Sequence, residues 1–471
     1  MLIMNRLIMM KRLSAFISMN KILGLSEGFH DAGATLVQDG NILSATHAER
    51  ISRVKNDRWL HYTQIEYADT IAFYEKDWLK RTRQVIARQP WAKPRINHDV
   101  SFYHHQSHAA AGFYTSKFEE CNILVVDAIG EWDTVSIWKA SMKDGKPKMK
   151  KTKSLKYPYS IGLFYSAITK YIGLKPSEDE YITMGMAAYG EPIHTKDLNN
   201  YLKYYNCHMG LPQLPTYWRK EDIAASAQKL VEDTILKLVT RYCPSDNLIM
   251  MGGVALNCVA NTKVANLGNP KNIWIMPNPG DCGSSLGAAA LAYGNKLNWV
   301  DPYLGTEIKR DINPKEVVNH LVNNSYCGIA NGRAEFGPRA LGNRSLIADP
   351  RRDLKDTINQ IKRRQKFRPF APAILEEFAD EYFEGPMNEY MQFVSTAKHD
   401  YKSVTHVDGT ARVQVVKPNC KSIIRPILEE WYEKTGCPIL LNTSLNIKGQ
   451  PMVNTWQHAL DFEKEYDVKV F

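Results

Sequence analysis

The chain has no apolar run that reaches the roughly 18 residues a membrane-spanning helix needs, so no membrane association is expected. Its eight cysteines, Cys121, Cys207, Cys243, Cys258, Cys282, Cys327, Cys420 and Cys437, are scattered, and none forms a CxxC. That argues against a disulfide framework or a zinc ribbon and for reduced thiols in a cytoplasmic protein. There is no internal period of about 20 to 50 residues, which excludes a solenoid. There is no HExxH, so no glutamate is placed to serve as a zinc peptidase base. The N-terminal MLIMNRLIMMKRLSAFISM has cations and apolar residues but no long apolar h-region, the weakest form of a signal peptide. Residues 1–20 read instead as a disordered or mis-assigned leader, with Met19 an alternative start.

What is present is a long, basic, globular chain. At 471 residues it exceeds one ordinary core, so two domains are expected. Net charge is +10 and the pI about 9.0, which suits anionic substrates. Part of the excess is local: Lys143, Lys146, Lys148, Lys150, Lys151, Lys153 and Lys156 crowd a stretch with Asp144-Gly145. A solvated hairpin and a nucleic-acid contact both fit it.

The chain then alternates short apolar runs with glycine turns. KILGLSEG (21–28) is followed by two β-rich runs joined by Asp39-Gly40, a hairpin signal. NILVVD (122–127) is a buried strand ending in an acid, again followed by a turn and an alternating strand. Strand, glycine turn and hairpin, twice over, resembles the duplicated core of actin-like ATPases. Helical spacing marks 161–171 and 224–240. NLIMMGGVALNCVANTKV (247–264) and NIWIMPNPGDCGSSLGAAALAYG (272–294) each read as strand, loop and helix. A polar boundary is expected over 295–313.

Several constellations carry chemistry. His104 and His108 lie four apart in HHQSHAAAGF and share one helix face, suiting either a metal held by two imidazoles or a polar helix start. Asp127 and Asp281 are candidate carboxylate partners, and such a set suits Fe(II), Mn(II) or Zn(II). Gly252 and Gly253 let backbone approach a ligand ahead of Asn257 and a helix. Ser284 and Ser285 suit a ribose or phosphate contact and equally a helix cap. His30 and Asp31 sit in a turn, as a general base or as a turn-stabilising pair. Finally, GRAEFGPRALGNRSLIADP (332–350) holds Arg333, Arg339 and Arg344 around Glu335, and KRRQKFRPFAP adds Lys362, Arg364 and Arg368. With Thr443, Ser444 and Asn446 of the terminal turn, these form a candidate phosphate cradle.

As a set and in order, these motifs resemble the NodU/CmcH-type carbamoyltransferases. The matching pieces include HDAGATLVQDG, HHQSHAAAGFY, EYITMGMAAYGEP, MGGVALNCVAN, PGDCGSSLGAA, GRAEFGPRALGNRS, FRPFAPAIL and NTSLNIKGQPMV, between Lys21 and about Ala459. The resemblance implies an α/β protein with an actin-like ATPase (duplicated ribonuclease-H-like) domain over 21–300 and a YrdC-like α/β domain over 314–471. It implies that carbamoyl phosphate and ATP give carbamoyl-adenylate and pyrophosphate, with the carbamoyl group then passing to a hydroxyl-bearing acceptor, a small molecule or nucleotide-like. ATP is the co-substrate, and the metal is Fe(II) or another divalent ion, with Mg also in question. His104, His108, Asp127 and Asp281 match the family's iron ligands, and His30 its transfer base. Arg339, Lys362, Arg368, Ser444 and Asn446 match its carbamoyl phosphate site. The chain departs from the family pattern at Ala48, where a Glu is usual, at Ala334 for Met, and at Gln365 for Glu. A tRNA threonylcarbamoyltransferase-like enzyme and a non-catalytic nucleotide- or nucleic-acid-binding protein are the competing expectations. The first is disfavoured by the continuous fusion to GRAEFGPRALG and FRPFAP, the second by the retained His104, His108, Asp127 and Asp281.

Overall fold

The structure, a computed structural model, describes residues 20–89 and 93–471. The expected leader therefore lies outside the described residues, apart from Asn20. The protein is a mixed α/β fold built on three main sheets.

The first sheet begins with an antiparallel meander of β1 (Lys21–Ser26), β2 (Gly33–Gln38) and β3 (Asn41–His47). Asp39 and Gly40 both take positive φ, 49° and 81°, as a two-residue hairpin turn matched to strand twist requires. β4 (Thr70–Phe73) and β5 (Val100–Ser101) add in parallel, giving the order β3-β2-β1-β4-β5. The second sheet uses β6 (Glu120–Val126), β7 (Asp133–Lys143), β8 (Lys146–Lys156), β9 (Asn247–Met251) and β10 (Asn272–Trp274). Its order, β8-β7-β6-β9-β10, and its polarities repeat the first. The twofold pattern in the sequence is thus a real duplication of topology. β7 and β8 form a hairpin whose edge strand β8 carries mostly exposed lysines, an arrangement that both readings of the lysine-rich stretch allow. Lysines on such an edge oppose pairing with another chain.

Helices α1 (Ala48–Ser52), α2 (His104–Thr115), α3 (Ile161–Tyr171), α4 (Glu180–Met186), α5 (Lys220–Tyr242), α6 (Cys258–Ala265) and α7 (Ser284–Tyr293) belong with these sheets. The helix expected over 224–240 is part of α5. α2 and α7 pack in one buried core through small residues, Ala109–Ala111 and Ala288–Ala290. A Cβ on Gly287 would stand 1.8 Å from the Ser107 carbonyl oxygen, so this contact tolerates only glycine. The close approach brings the start of α7 against the first turns of α2, where His104 and His108 sit.

β11 (Tyr303–Ile308) lies inside the expected boundary and pairs with β13 (Gly332–Glu335). The third sheet has the order β12-β14-β20-β15-β19. Its strands are β12 (Tyr326–Ala330), β14 (Arg344–Ala348), β15 (Ala371–Leu375), β19 (Gln414–Val416) and β20 (Ile439–Ser444). Three short strands, β16 (Phe383–Glu384), β17 (Ser395–Ala397) and β18 (Thr410–Ala411), make a side sheet. The period-two rule places Leu346, Ala348 and Leu441 on one face with Ala459 and Phe462, and Ile347 and Leu440 on the other with Leu321, Ile427 and Trp431. The two halves meet along the site. Arg50 donates to Gly337 O, Arg53 to Pro451 O and Met452 O, and Gln392 to Ile275 O. Among the described residues, no helix is long and apolar enough to cross a membrane.

Candidate functional site

β6 runs straight into Asp127, and the loop after β10 carries Asp281 to the start of α7. Both carboxylates meet the paired histidines of α2. His104 Nε2 lies 3.0 Å from Asp127 Oδ2 and 3.3 Å from Asp281 Oδ1. His108 Nε2 lies 3.3 Å from Asp281 Oδ1, 3.7 Å from Asp127 Oδ2 and 3.1 Å from His104 Nε2. All four residues are buried, and their converging atoms lie within 4.8 Å of one another. Burial opposes ionisation of both carboxyls, but the two imidazoles outweigh it and hold them well below the carboxylate range. Burial likewise lowers the His104 pKa, and Asp281, Asp127 and Glu75 reverse it to well above the ordinary value.

These residues fit a divalent cation. The ligand atoms have the spacing that bonds of about 2.0–2.2 Å to one ion produce. His108 Nδ1 faces Ser284 Oγ at 3.0 Å and His104 Nδ1 faces Glu75 Oε2 at 3.5 Å. Protons on those outer nitrogens leave both Nε2 lone pairs turned inward, the usual support for a metal-bound imidazole. Asp281 Oδ2 is buried with no hydrogen-bond partner. Two carboxylates and two neutral imidazoles carry a charge that a divalent ion cancels.

His30 lies in the turn between β1 and β2, beside Asp31, which takes φ 50°. Its Nδ1 is 3.5 Å from Asp31 Oδ2, and 29% of the side chain is exposed. Burial lowers its pKa, but Asp31, Asp281 and Asp127 outweigh burial and raise it to about 9. His30 therefore stands within electrostatic reach of the His–Asp group.

The glycine loop is pressed onto the same group. Gly252 has φ 88°, and a Cβ there would stand 2.2 Å from Val126 O. Gly253 N donates to Asp127 Oδ1 at 3.1 Å. Asn257 spends its side chain internally: Oδ1 caps α6 at Ala260 N, and the amide pairs with Gln228. Ser284 serves His108. Ser285 is fully buried, with its hydroxyl on Cys282 O and Thr35 Oγ1. The structure thus gives Asn257, Ser284 and Ser285 internal partners, and the N–H groups of Gly252 and Gly253 are engaged as well, with Pro279 O and Asp127 Oδ1.

In the other half, Lys362, Arg364 and Arg368 form one cationic cluster with Arg339 and Arg412. Lys362 Nζ donates to Ser444 O and to Asn446 O at 2.8 Å and Oδ1 at 3.1 Å. Ser444 Oγ in turn donates to Asn446 Oδ1. Thr443 is partly exposed on β20, opposite Leu346. Arg364 Nε donates to Asn359 Oδ1 and its guanidinium stacks on Phe370. Arg368 lies over Tyr181 of α4, 4.6 Å from the ring centre. Burial, with Arg412 and Arg368 opposing, pushes Arg339 down to about 9. Burial and the neighbouring arginines also hold Lys362 and Arg364 well below their ordinary values. Among the described residues, no carboxylate pairs with any of these five cations, and Arg364 Nη2, Arg412 Nε and Gln365 Oε1 are buried without partners.

Arg333 and Arg344 are different. Arg333 donates to Leu43 O, Leu304 O and Gly305 O. Arg344 is fully buried and donates to the carbonyls of Thr306, Asn331, Gly332, Asn343 and Asn454. Glu335 Oε1 accepts from the backbone N–H groups of Leu341, Asn343 and Arg344. These three residues shape the loop that presents Arg339. Sequence reasoning missed Glu75 and Arg412. Glu75 closes a strand as Asp127 does, which is a usable signal; nothing local marks Arg412.

Comparison with known proteins matches the chain to two family models. The model described as carbamoyltransferase N-terminus matches residues 68–209 and 208–290, and that described as carbamoyltransferase C-terminus matches 318–471. An uncharacterized protein of Synechocystis sp. is 32% identical, covering 94% of this chain and 94% of its own. Nodulation protein NolNO of Sinorhizobium fredii is 31% identical over 92% of this chain and 76% of its own. Among solved structures, component A of the (R)-2-hydroxyglutaryl-CoA dehydratase of Acidaminococcus fermentans matches with a TM-score of 0.35 and 15% identity, over 58% of this chain and 98% of that one. With both family models matched in order along one chain, and relatives above 30% identity over nearly its full length, the protein belongs to the NodU-type carbamoyltransferase family.

Proposed function

We propose that this protein is an ATP-dependent O-carbamoyltransferase that makes carbamoyl-adenylate and passes its carbamoyl group to an acceptor hydroxyl. The observation that carries the reading is the unpaired cationic cluster of Arg339, Lys362, Arg364, Arg368 and Arg412. Buried or half-buried cations that repel one another and form no ion pair with a carboxylate are compensated when a compact dianion binds. Carbamoyl phosphate is such an anion.

In this reading water attacks the phosphorus of carbamoyl phosphate, the P–O bond breaks, and phosphate and carbamate form while the cluster holds the negative charge. A carbamate oxygen attacks the α-phosphorus of ATP and expels pyrophosphate. The adenylate then meets the acceptor beside His30. Neutral His30 removes the hydroxyl proton as that oxygen attacks the carbamoyl carbon, and AMP leaves. A divalent ion held by His104, His108, Asp127 and Asp281 would supply Lewis acidity toward the adenylate phosphate. Gly252 and Gly253, which carry no side chains, let the nucleotide approach beside Asp127. The 314–471 half is read as YrdC-like on the strength of the cluster and the family resemblance. Gln365 leaves the cluster more positive than an acid there would.

Incubation with carbamoyl phosphate, ATP and Fe(II) tests the reading, with pyrophosphate and carbamoyl-adenylate measured together. No adenylate with any divalent metal refutes it. Adenylate formed only from threonine and bicarbonate moves the protein to the tRNA-modifying class.

A further inference from the structure

The acceptor is the part of the reaction that the cationic cluster and the His–Asp group leave unassigned. Around His30, five side chains bring three chemistries together. Phe29 packs against His30 with ring centres 4.5 Å apart. The segment 57–59 is bonded to the same turn, through Gly28 N to Arg58 O and Ala32 N to Asp57 O, both 2.8 Å. It brings the Trp59 ring to 4.0 Å from where a Cβ of Gly28 would stand. Two guanidiniums lie on Trp59, Arg95 at 4.1 Å and Arg58 at 5.2 Å from the ring centre. Both arginines are exposed, and among the described residues neither meets a carboxylate. Glu27, only 2% exposed, accepts from Arg95 N and Ile96 N through Oε1 alone, and its Oε2 has no hydrogen-bond partner.

We infer that this collar binds the acceptor, and that the acceptor is a phosphorylated sugar. Arg58 and Arg95, pre-organised on Trp59, hold the phosphate in forked hydrogen bonds. The free oxygen of Glu27 accepts from a sugar hydroxyl, which removes the penalty of a buried unsatisfied acceptor. Phe29 meets the apolar face of the ring, so that a neighbouring hydroxyl reaches His30. A neutral acceptor would leave both guanidiniums unused, and an amine-bearing one would be repelled by them. The inference rests on the proposed carbamoyl transfer for its functional meaning, while the binding itself does not depend on it.

The test uses glucose 1-phosphate as probe and methyl glucoside as neutral control, with calorimetric titration of the full chain. Saturable binding of glucose 1-phosphate, weakened about tenfold or more in the double variant Arg58→Ala/Arg95→Ala and kept in Arg339→Met, is the expected result. An unchanged circular dichroism spectrum and melting temperature show that the double variant is folded. Binding lost in Arg339→Met but kept in the double variant places the probe on the other cluster and overturns the inference, as does equal binding of methyl glucoside or no binding of the phosphorylated probe. Absence of pyrophosphate release in the wild type, with probe binding intact, overturns the proposed reaction and not the acceptor site.

Discussion

Two arginines five residues apart should respond to substitution with opposite signs. Arg344 is wholly buried and makes six hydrogen bonds to five backbone carbonyls. Arg344→Met strands those carbonyls, and losing one partner of a buried charged network costs about 3–5 kcal/mol. At about 2–4 °C per kcal/mol for a domain of this size, the melting temperature falls by roughly 10 °C. Arg339 instead sits among like charges, and burial with Arg412 and Arg368 lowers its pKa from 12.5 to about 9. Taken whole, that shift would be about 5 kcal/mol against the folded state. Partial exposure screens it, leaving about 1–2 kcal/mol. Arg339→Met should therefore raise the melting temperature by roughly 2–8 °C in phosphate-free buffer. Inorganic phosphate should reverse the order, because an anion at 100 times its Kd stabilises the wild type by about 2.7 kcal/mol and the variant by less. Scanning calorimetry of both variants, with and without phosphate, reads all three effects. An Arg339→Met protein destabilised as much as Arg344→Met would refute the division between ligand-facing and loop-shaping arginines.

Other outcomes follow from the same contacts. His30 has a folded pKa raised to about 9, so its protonated form stabilises the fold fully below about pH 6.5, and that contribution is lost as pH rises through 9. The transfer step, which needs neutral His30, should gain rate with rising pH, and Asp31→Asn should shift that rise to lower pH; an unchanged profile would remove Asp31 as the cause. His108→Ala should lower the divalent metal content measured by atomic emission to a small fraction, whereas Ser284→Ala should weaken metal affinity about 10–100-fold through loss of the hydrogen bond at Nδ1. Replacing Lys148, Lys150 and Lys153 by Gln on the exposed edge strand β8 should leave pyrophosphate release unchanged, since that hairpin only closes the sheet.

The duplicated half of the fold was legible because each copy begins with an apolar strand, a polar turn and a hairpin, and hairpin turns are local. Asp127 was legible for a related reason: an acid directly after a buried strand has few structural uses. His104 and His108 were legible through helix periodicity, although only the packing of α7 on α2 shows what faces them. The arginines were not separable in sequence. GPR and GNR read alike, and only the third sheet decides that Arg344 opens a fully buried strand while Arg339 stays on the loop. Asn257 and Ser285 looked like ligand contacts because their partners, Gln228 and Thr35, lie far away along the chain. Arg412 joins the cluster because β19 pairs beside β15, a parallel contact that no local pattern announces.

The short helix α1 explains how two half-sites built on separate sheets are kept in register. It follows β3 directly, and Glu49, buried in its first turn, is held by Lys55 Nζ and Asn56 N. That fixes the next two cations of the segment. Arg50 donates to Gly337 O, two residues before Arg339, and Arg53 to Pro451 O and Met452 O, just past the turn whose Asn446 holds Lys362. The loop carrying Arg339 and the turn that holds Lys362 therefore both bond to α1 and the residue that caps it, beside the sheet carrying His30. Charged donors on backbone carbonyls are strong and directional, and buried Arg50 also faces Glu49 Oε1 at 3.7 Å through Nε. Such a contact does not slide. Any rearrangement that shifts α1 therefore either breaks these bonds or carries both loops with it.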